Sequence, residues 1–204
     1  MNDGILVCNH INTDKNSLCY VIIMIKKYIK IFLLIFIVSA CNSNEKADAE
    51  QVNYFFDLKG YFAEQSKIIN EKYKAPIKTV SVDGKAQKKK LKKIDWEKEL
   101  SVFAAADINK TAWQDKYRVD TMATIDAINV LYEALDDKLK TRLINVKMND
   151  NLVEFITIEQ LSNNMIYNSK KILTYAPNGG YTLENRQKAR FLEEHLYEIN
   201  VDFE

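Results

Sequence analysis

The segment Tyr197-Glu198-Ile199-Asn200-Val201-Asp202-Phe203, close to the C-terminus, decides the fold. Apolar and polar residues alternate along its whole length. A period of two places alternate side chains on opposite faces of a β-strand. The segment therefore predicts a strand with one apolar face, which needs a sheet around it and a core beneath it.

Two hairpins are predicted directly upstream of this strand. Each joins two alternating stretches through a turn rich in Asn, Asp or Gly, the residues that tolerate the left-handed conformation of tight hairpin turns. The strands and turns are 140–148, 149–151 and 152–159 in the first hairpin, and 165–175, 177–180 and 181–191 in the second. Successive strands joined in this way form an antiparallel meander.

The region before these hairpins is less regular. A short strand is predicted at residues 117–121. Residues 123–135 have apolar side chains at helical spacing, but Ile128, Val130 and Tyr132 also alternate as a strand requires. We favour a strand across residues 128–134 and keep the helix as the alternative.

Two amphipathic helices are predicted before the sheet. Residues 53–72 place Phe55, Leu58, Phe62 and Ile69 along one stripe. The second helix is predicted to run from an Asp95 N-cap to about residue 108, with acidic residues in its first turn, where the helix dipole favours them.

These elements predict an α+β fold, in which two N-terminal amphipathic helices pack on a curved antiparallel β-meander. An apolar helix stripe has to be buried, and the concave face of the sheet is the natural place for it. Residues 53–204 are expected to form this single α+β domain, which is large enough to have a core of its own.

A lysine cluster lies between the two predicted helices. Asp83-Gly84 is typical of a type I′ turn, and the returning strand carries the cluster. Its members are Lys85, Lys88, Lys89, Lys90, Lys92 and Lys93. The cluster fits contact with an anionic surface such as lipid head groups, and it equally fits a solvated edge strand, because lysines protect sheet edges from aggregation. We favour the edge strand.

The N-terminal part of the chain has the pattern of an export signal. Residues 25–30 are basic, an apolar run follows over residues 31–38, and Ser39-Ala40-Cys41 closes the segment with small residues before a cysteine. This arrangement resembles the lipobox of bacterial lipoproteins. The resemblance implies that the Cys41 thiol carries a diacylglyceryl group and that cleavage makes Cys41 the amino terminus of the mature protein.

The domain organisation follows from that resemblance. Residues 1–23 are expected to be an over-extended start, 24–40 a lipoprotein signal peptide, and 41–52 the acylated Cys41 with a flexible tether. The alternative is an uncleaved membrane helix over residues 21–40, but three lysines interrupt that stretch, and a stable span needs about 20 predominantly apolar residues.

Composition then narrows the range of functions. Of three cysteines and two histidines, only Cys41 and His195 lie outside the expected leader, and acylation would occupy the Cys41 thiol. A disulfide, a cysteine nucleophile and a multi-histidine metal site are therefore not expected. The chain has 29 Lys and Arg against 28 Asp and Glu, so its charge gives no support for nucleic-acid binding.

No set of residues predicts a catalytic or cofactor site. The sequence contains no Gly-x-Ser-x-Gly nucleophile elbow that would work with His195, so His195 is expected to lie at the surface. The adjacent acids Asp136-Asp137 and Glu193-Glu194 would diverge in a strand or turn, so neither predicts a glycosidase pair. Residues 149–151 lack the spacing of an EF-hand loop. We expect no catalytic residue, no cofactor and no metal.

Aromatic side chains are the remaining feature of the predicted sheet. One face would carry Tyr132, Tyr167, Tyr175, Tyr197 and Phe203. Such a face either holds an acyl chain or hydrophobic peptide, or forms an ordinary packed core, and we favour the core.

A second resemblance covers the predicted domain. The segments 54–62, 95–100 and 117–121 resemble an uncharacterised lipoprotein family of the Bacteroidota, which implies no particular activity. We therefore expect a non-enzymatic envelope lipoprotein, anchored to the outer membrane through Cys41 and facing either the periplasm or the exterior. Its expected role is to bind a hydrophobic ligand or a partner protein; the alternative is a structural or assembly subunit of an envelope complex.

Overall fold

Nine antiparallel strands in one sheet dominate the computed structural model, which describes residues 53–203. The strands are β1 Ile77–Val82, β2 Lys85–Lys90, β3 Tyr117–Ala123, β4 Ala127–Ala134, β5 Thr141–Asn149, β6 Leu152–Asn163, β7 Tyr167–Ala176, β8 Gly180–Ala189 and β9 Glu194–Asp202. Two helices, α1 Leu58–Lys72 and α2 Trp96–Ala104, and the 3-10 turn Thr111–Trp113 complete the elements.

The strand order is β2-β1-β9-β8-β7-β6-β5-β4-β3. Strands β3 to β9 form a continuous meander, and the β1–β2 hairpin joins it because β1 pairs with β9. The sheet is open, so β2 and β3 are its two edges. The last strand, whose alternation predicted the sheet, lies inside it between β8 and β1.

One face of the sheet carries the core. Directly opposed residues on neighbouring strands include Ile156 with Tyr175, Tyr175 with Tyr181, and Tyr181 with Val201. All four of these side chains are buried. The apolar faces of both helices pack against this row, since Phe62 of α1 and Phe103 of α2 contact Tyr175 at ring-centroid distances of 5.0 and 5.9 Å.

The two helices begin at side-chain caps. Asp57 Oδ1 accepts a hydrogen bond of 2.8 Å from the Gly60 amide, and Asp95 Oδ1 accepts one of 3.1 Å from the Lys98 amide. These bonds satisfy amide groups that have no partner within the helix. Asp95 as the N-cap of the second helix is therefore confirmed.

The predicted α+β class is wrong, because the described part of the chain is dominated by the sheet. The helices have 15 and 9 residues and are confined to the region before β3. Both were predicted too long. Residues 53–57 form a bent, non-helical segment in which Phe55 and Phe56 bond to Asn109, and the second helix ends at Ala104, after which the chain turns.

Several local predictions are confirmed. Residues 127–134 form a strand rather than a helix, and both C-terminal hairpins are present. Asp83 and Gly84 have φ values of 49° and 80°, as a type I′ turn requires. Asp150 and Asn151, at 48° and 62°, make the equivalent turn between β5 and β6.

Candidate functional site

The residue on which the anchoring prediction depends lies outside the described residues. Cys41, the leader of residues 1–40 and the tether to residue 52 all precede residue 53, so their predicted roles stay predictions. Within residues 53–203, no helix is long and apolar enough to span a bilayer.

The lysine cluster lies on and just after the edge strand β2, and all six of its side chains are exposed. Lys89 is directly opposite Lys78 of β1, on the face of the sheet that the helices cover, whereas Lys88 and Lys90 point to the other face. None of the six forms an ion pair with a residue in the described part of the chain. The cluster is therefore a band of uncompensated positive charge along one sheet edge.

His195 lies at the surface, as predicted. Its Nδ1 is 2.8 Å from Asp83 Oδ2, and Asp83 Oδ1 accepts a hydrogen bond from the Leu196 amide. This arrangement fastens the β1–β2 turn to the start of β9. No nucleophile among the described residues bonds to the imidazole.

The acidic pairs are also surface groups with local partners. Asp136 caps the Lys138 amide, Asp137 pairs with Arg142 at 2.9 Å, and Glu194 lies 3.8 Å from Arg186. No group of three or more potential metal ligands occurs within residues 53–203.

The aromatic face is a packed core at its centre. Tyr132, Tyr175 and Phe203 are buried, while Tyr167 and Tyr197 are 36% and 39% exposed at its outer end. Phe62 and Phe103 stack on each other at 4.9 Å and fill the space over Tyr175. The ring contacts leave no room there for an acyl chain.

A cleft opens beside this core, between helix α2 and strands β1, β8 and β9. We call it the α2 cleft; its volume is about 540 Å³. Its lining residues are Lys78, Leu91, Lys93, Ile94, Asp95, Lys98, Glu99, Val102, Tyr181, Leu183 and Ile199. Five of these are aliphatic and only partly buried, so the cleft has an apolar wall that solvent reaches.

Three polar side chains meet inside the α2 cleft. Lys78 Nζ is 2.8 Å from Glu99 Oε2 and 2.9 Å from Glu99 Oε1. The Tyr181 hydroxyl donates a short hydrogen bond to Glu99 Oε2. Residues from β1, β8 and α2 are joined in this way, and the Glu99 carboxylate receives charge-assisted bonds from both sides.

The environment keeps these groups in fixed protonation states. Burial raises the pKa of Glu99, but the hydrogen bonds from Lys78 and Tyr181 outweigh that effect and leave the pKa below its usual value. Burial and the bond to Glu99 raise the pKa of the Tyr181 hydroxyl far above its usual value. Around neutral pH, Glu99 is therefore a carboxylate and Tyr181 a neutral donor.

The charges at the mouth of the cleft are mostly positive. Lys93 and Lys98 are exposed there, with Asp95 between them in sequence. Lys78 is neutralised by Glu99, so the two exposed lysines are the cations available to a ligand. An apolar wall below two cations suits a molecule with an aliphatic part and a negatively charged group.

No pattern in the sequence indicated this cleft directly. In the sequence, Glu99 is recognisable only as an acid in the first turn of the second predicted helix, and Lys78 only as part of the alternating stretch before the Asp83-Gly84 turn. One signal could have indicated that Lys78 needs an anionic partner. Lys78 lies on the apolar face of the β1–β9 pair, where an uncompensated charge is costly. Its partner could not be identified before the helix was placed.

In comparisons with known proteins, the chain matched no protein family, no curated protein and no solved structure.

Proposed function

We propose that the domain is a non-enzymatic binding module that takes an amphipathic anionic ligand, such as a fatty acid, into the α2 cleft. The observation that carries this proposal is the partly exposed aliphatic wall of the cleft, which Lys93 and Lys98 also line. Burying apolar area contributes about 25 cal/mol per Å², so an aliphatic chain would gain most from contact with Val102, Leu183 and Ile199.

The lysine cluster supports the proposal that the ligand carries a negative charge. Lys93 belongs both to the cluster and to the cleft, and the rest of the cluster runs along the neighbouring edge strand. A band of like charge beside a cleft raises the local concentration of oppositely charged ligands and the rate at which they bind. Binding should therefore weaken with salt.

The protonation states support a binding role rather than catalysis. A general acid or base works best with a pKa near the working pH. The pKa of Glu99 is lowered and that of Tyr181 is raised, so neither group is poised to exchange a proton near neutrality. Their mutual bonds fix the shape of the cleft instead.

The proposal includes the anchor. An acylated Cys41 would hold the domain close to the outer membrane, which is a source of amphipathic anions. At least two acyl chains are needed for stable anchoring, and a diacylated cysteine supplies them. Mass spectrometry of the protein extracted from membranes would test this part: a Cys41 peptide without lipid mass, or a Cys41→Ser variant that remains in membranes, would contradict it.

Calorimetric titration of the domain with decanoate tests the cleft. We expect saturable binding that Val102→Asn weakens by about tenfold, because the variant places a polar group in the apolar wall. Val119→Asn is the matched control, since Val119 is 47% exposed on the far edge strand β3. Decanol should bind less tightly than decanoate if Lys93 and Lys98 hold the charged group. The proposal fails if decanoate does not bind, or if both variants bind it as the parent does.

A further inference from the structure

A row of polar side chains continues the core face beyond the helices. Thr141, Gln160, Lys171, Asn185 and Tyr197 are directly opposite one another across strands β5 to β9. Lys171 is on the same face as Leu173 and Tyr175, two and four residues further along β7, and both of those are fully buried. We call these five residues the polar row.

Lys171 is a half-buried cation without an anionic partner. No carboxylate of the described residues lies within 4.0 Å of its Nζ, whereas its neighbour Lys170, on the opposite face, pairs with Glu159 at 3.1 Å. Burial, reinforced by the charge of Lys140, lowers the pKa of the Lys171 ammonium. A charge that is withdrawn from water in this way is costly unless something compensates it.

The groups around Lys171 are hydrogen-bond donors or neutral side chains. The Ser169 hydroxyl donates to Asn185 Oδ1 at 2.7 Å, which leaves the Asn185 amide nitrogen as a donor. Gln160 is only 5% exposed and donates to Thr141 Oγ1. The next row outward on this face consists of Ser162, Ser169, Gln187 and His195. No acidic residue belongs to either row.

We propose that Lys171 and Asn185 bind an oxyanion group, a carboxylate or a phosphate, of a small polar ligand on the exposed side of the polar row. The ammonium group would form a charge-assisted bond to the anion, and the Asn185 amide would supply a second, directional donor. The anion would compensate the buried charge. Tyr197, at 39% exposure, offers a further hydroxyl at the open end of the row.

This site uses none of the residues that line the α2 cleft, so its test is independent of the test of the proposed function.

Chemical acetylation of the intact domain tests the oxyanion site without any substitution. The folded protein is treated with limiting acetic anhydride, and modification of each lysine is followed by peptide mass spectrometry. We expect inorganic phosphate or citrate to slow acetylation of Lys171 by about tenfold while Lys170 is unaffected. Protection by phosphate alone or by citrate alone identifies the preferred group.

Matched variants give the second arm. Lys171→Met should abolish the phosphate- or citrate-induced amide shifts of residues 169–171 and 185 in NMR spectra, whereas Lys170→Met should retain them. Circular dichroism verifies that both variants are folded. Equal protection of Lys170 and Lys171, protection by neither anion, or unchanged binding by Lys171→Met would overturn the proposal.

Discussion

Lys78 of β1 and Glu99 of α2 form an ion pair in which the ammonium group contacts both carboxylate oxygens. Lys78 Nζ is 2.9 Å from Glu99 Oε1 and 2.8 Å from Glu99 Oε2. The side chains are 21% and 29% exposed, so the pair is partly withdrawn from water. It connects α2 to β1, the first strand of the hairpin that precedes α2 in the chain. The pair joins α2 to the sheet, and both of its residues line the α2 cleft.

Glu99→Gln should lower the free energy of unfolding at about pH 7 by about 1–2 kcal/mol, because it leaves Lys78 partly buried without a counter-charge. The pKa of Glu99 is lower in the folded state than in the unfolded chain. Its stabilising effect is therefore present above the unfolded pKa and is lost as the pH falls through the folded pKa. Urea unfolding over a pH series should show the difference from the parent shrinking in acid. Glu97→Gln, exposed on the same helix, should show no comparable loss; equal effects would refute the role of the pair.

Asn109→Ala should destabilise the domain by about 2–3 kcal/mol, because it leaves buried backbone groups without partners. Asn109 Oδ1 accepts a bond of 2.9 Å from the Phe55 amide, and its Nδ2 donates to the Phe55 and Phe56 carbonyl groups. Asn168→Ala, at an exposed position of β7, is the control. Thermal or denaturant unfolding that gives the same stability for both variants would show that Asn109 does not hold residues 53–57 in place.

Phe103→Ala should cost about 3–5 kcal/mol, since it opens a cavity among tightly packed rings. Phe103 is fully buried and contacts Phe62, Tyr175 and Tyr181. The same substitution at Phe191, which is 92% exposed, should change stability by less than about 0.5 kcal/mol. Denaturant midpoints measure both. A small effect at Phe103 would mean that the aromatic face is loosely packed.

The N-cap of α1 predicts that substitutions at Asp57 and Gly60 have non-additive effects on the free energy of unfolding. A Cβ at Gly60 would overlap Asp57 Oδ2, so Gly60→Ala must displace the capping carboxylate. The helix-propensity gain of about 1 kcal/mol is then offset by the loss of a cap worth about 1 kcal/mol, and little net change is expected. In an Asp57→Ala background no cap remains to be lost, and Gly60→Ala should stabilise by about 1 kcal/mol. Unfolding free energies of the four proteins complete the cycle, and additive values would contradict the displacement.

The contact between Asp83 and His195 predicts a shifted titration. The Leu196 amide and, to a smaller extent, His195 lower the pKa of the Asp83 carboxyl. In an NMR titration, His195→Gln should move the pKa of Asp83 part of the way back to its usual value, since the Leu196 bond remains. An unchanged Asp83 titration in the variant would show that the imidazole does not contribute.

The order of strands from residue 127 onward could be predicted from the sequence, because alternation and turn residues are local signals. Asp150-Asn151 and Asp83-Gly84 needed no tertiary information to be recognised as turns. The helix ends could not be predicted in the same way. Residues 53–57 have a helical apolar pattern, but the buried Asn109 side chain, more than 50 positions away, bonds to the backbone of Phe55 and Phe56, and no helical turn forms there.

The alternation of polar and apolar residues also could not show which part of the apolar sheet face is packed and which part lines a cavity. Tyr132, Tyr175 and Tyr197 lie on the predicted face, yet only contact with Phe62 and Phe103 determined which part of that face is filled. The α2 cleft and the polar row lie on the same face of the sheet as these packed rings, and only the positions of the helices and strands in space revealed them.

The sequence by itself therefore determined the strands from residue 127 onward and the turns between them. Each of these depends on residues that are neighbours in the chain. Only the tertiary structure decided the dominance of the sheet, the pairing of Lys78 with Glu99 and the partial burial of Lys171. Those features depend on which distant segments come into contact, and burial assigns a cost or a partner to a charge only once the neighbouring elements are in place.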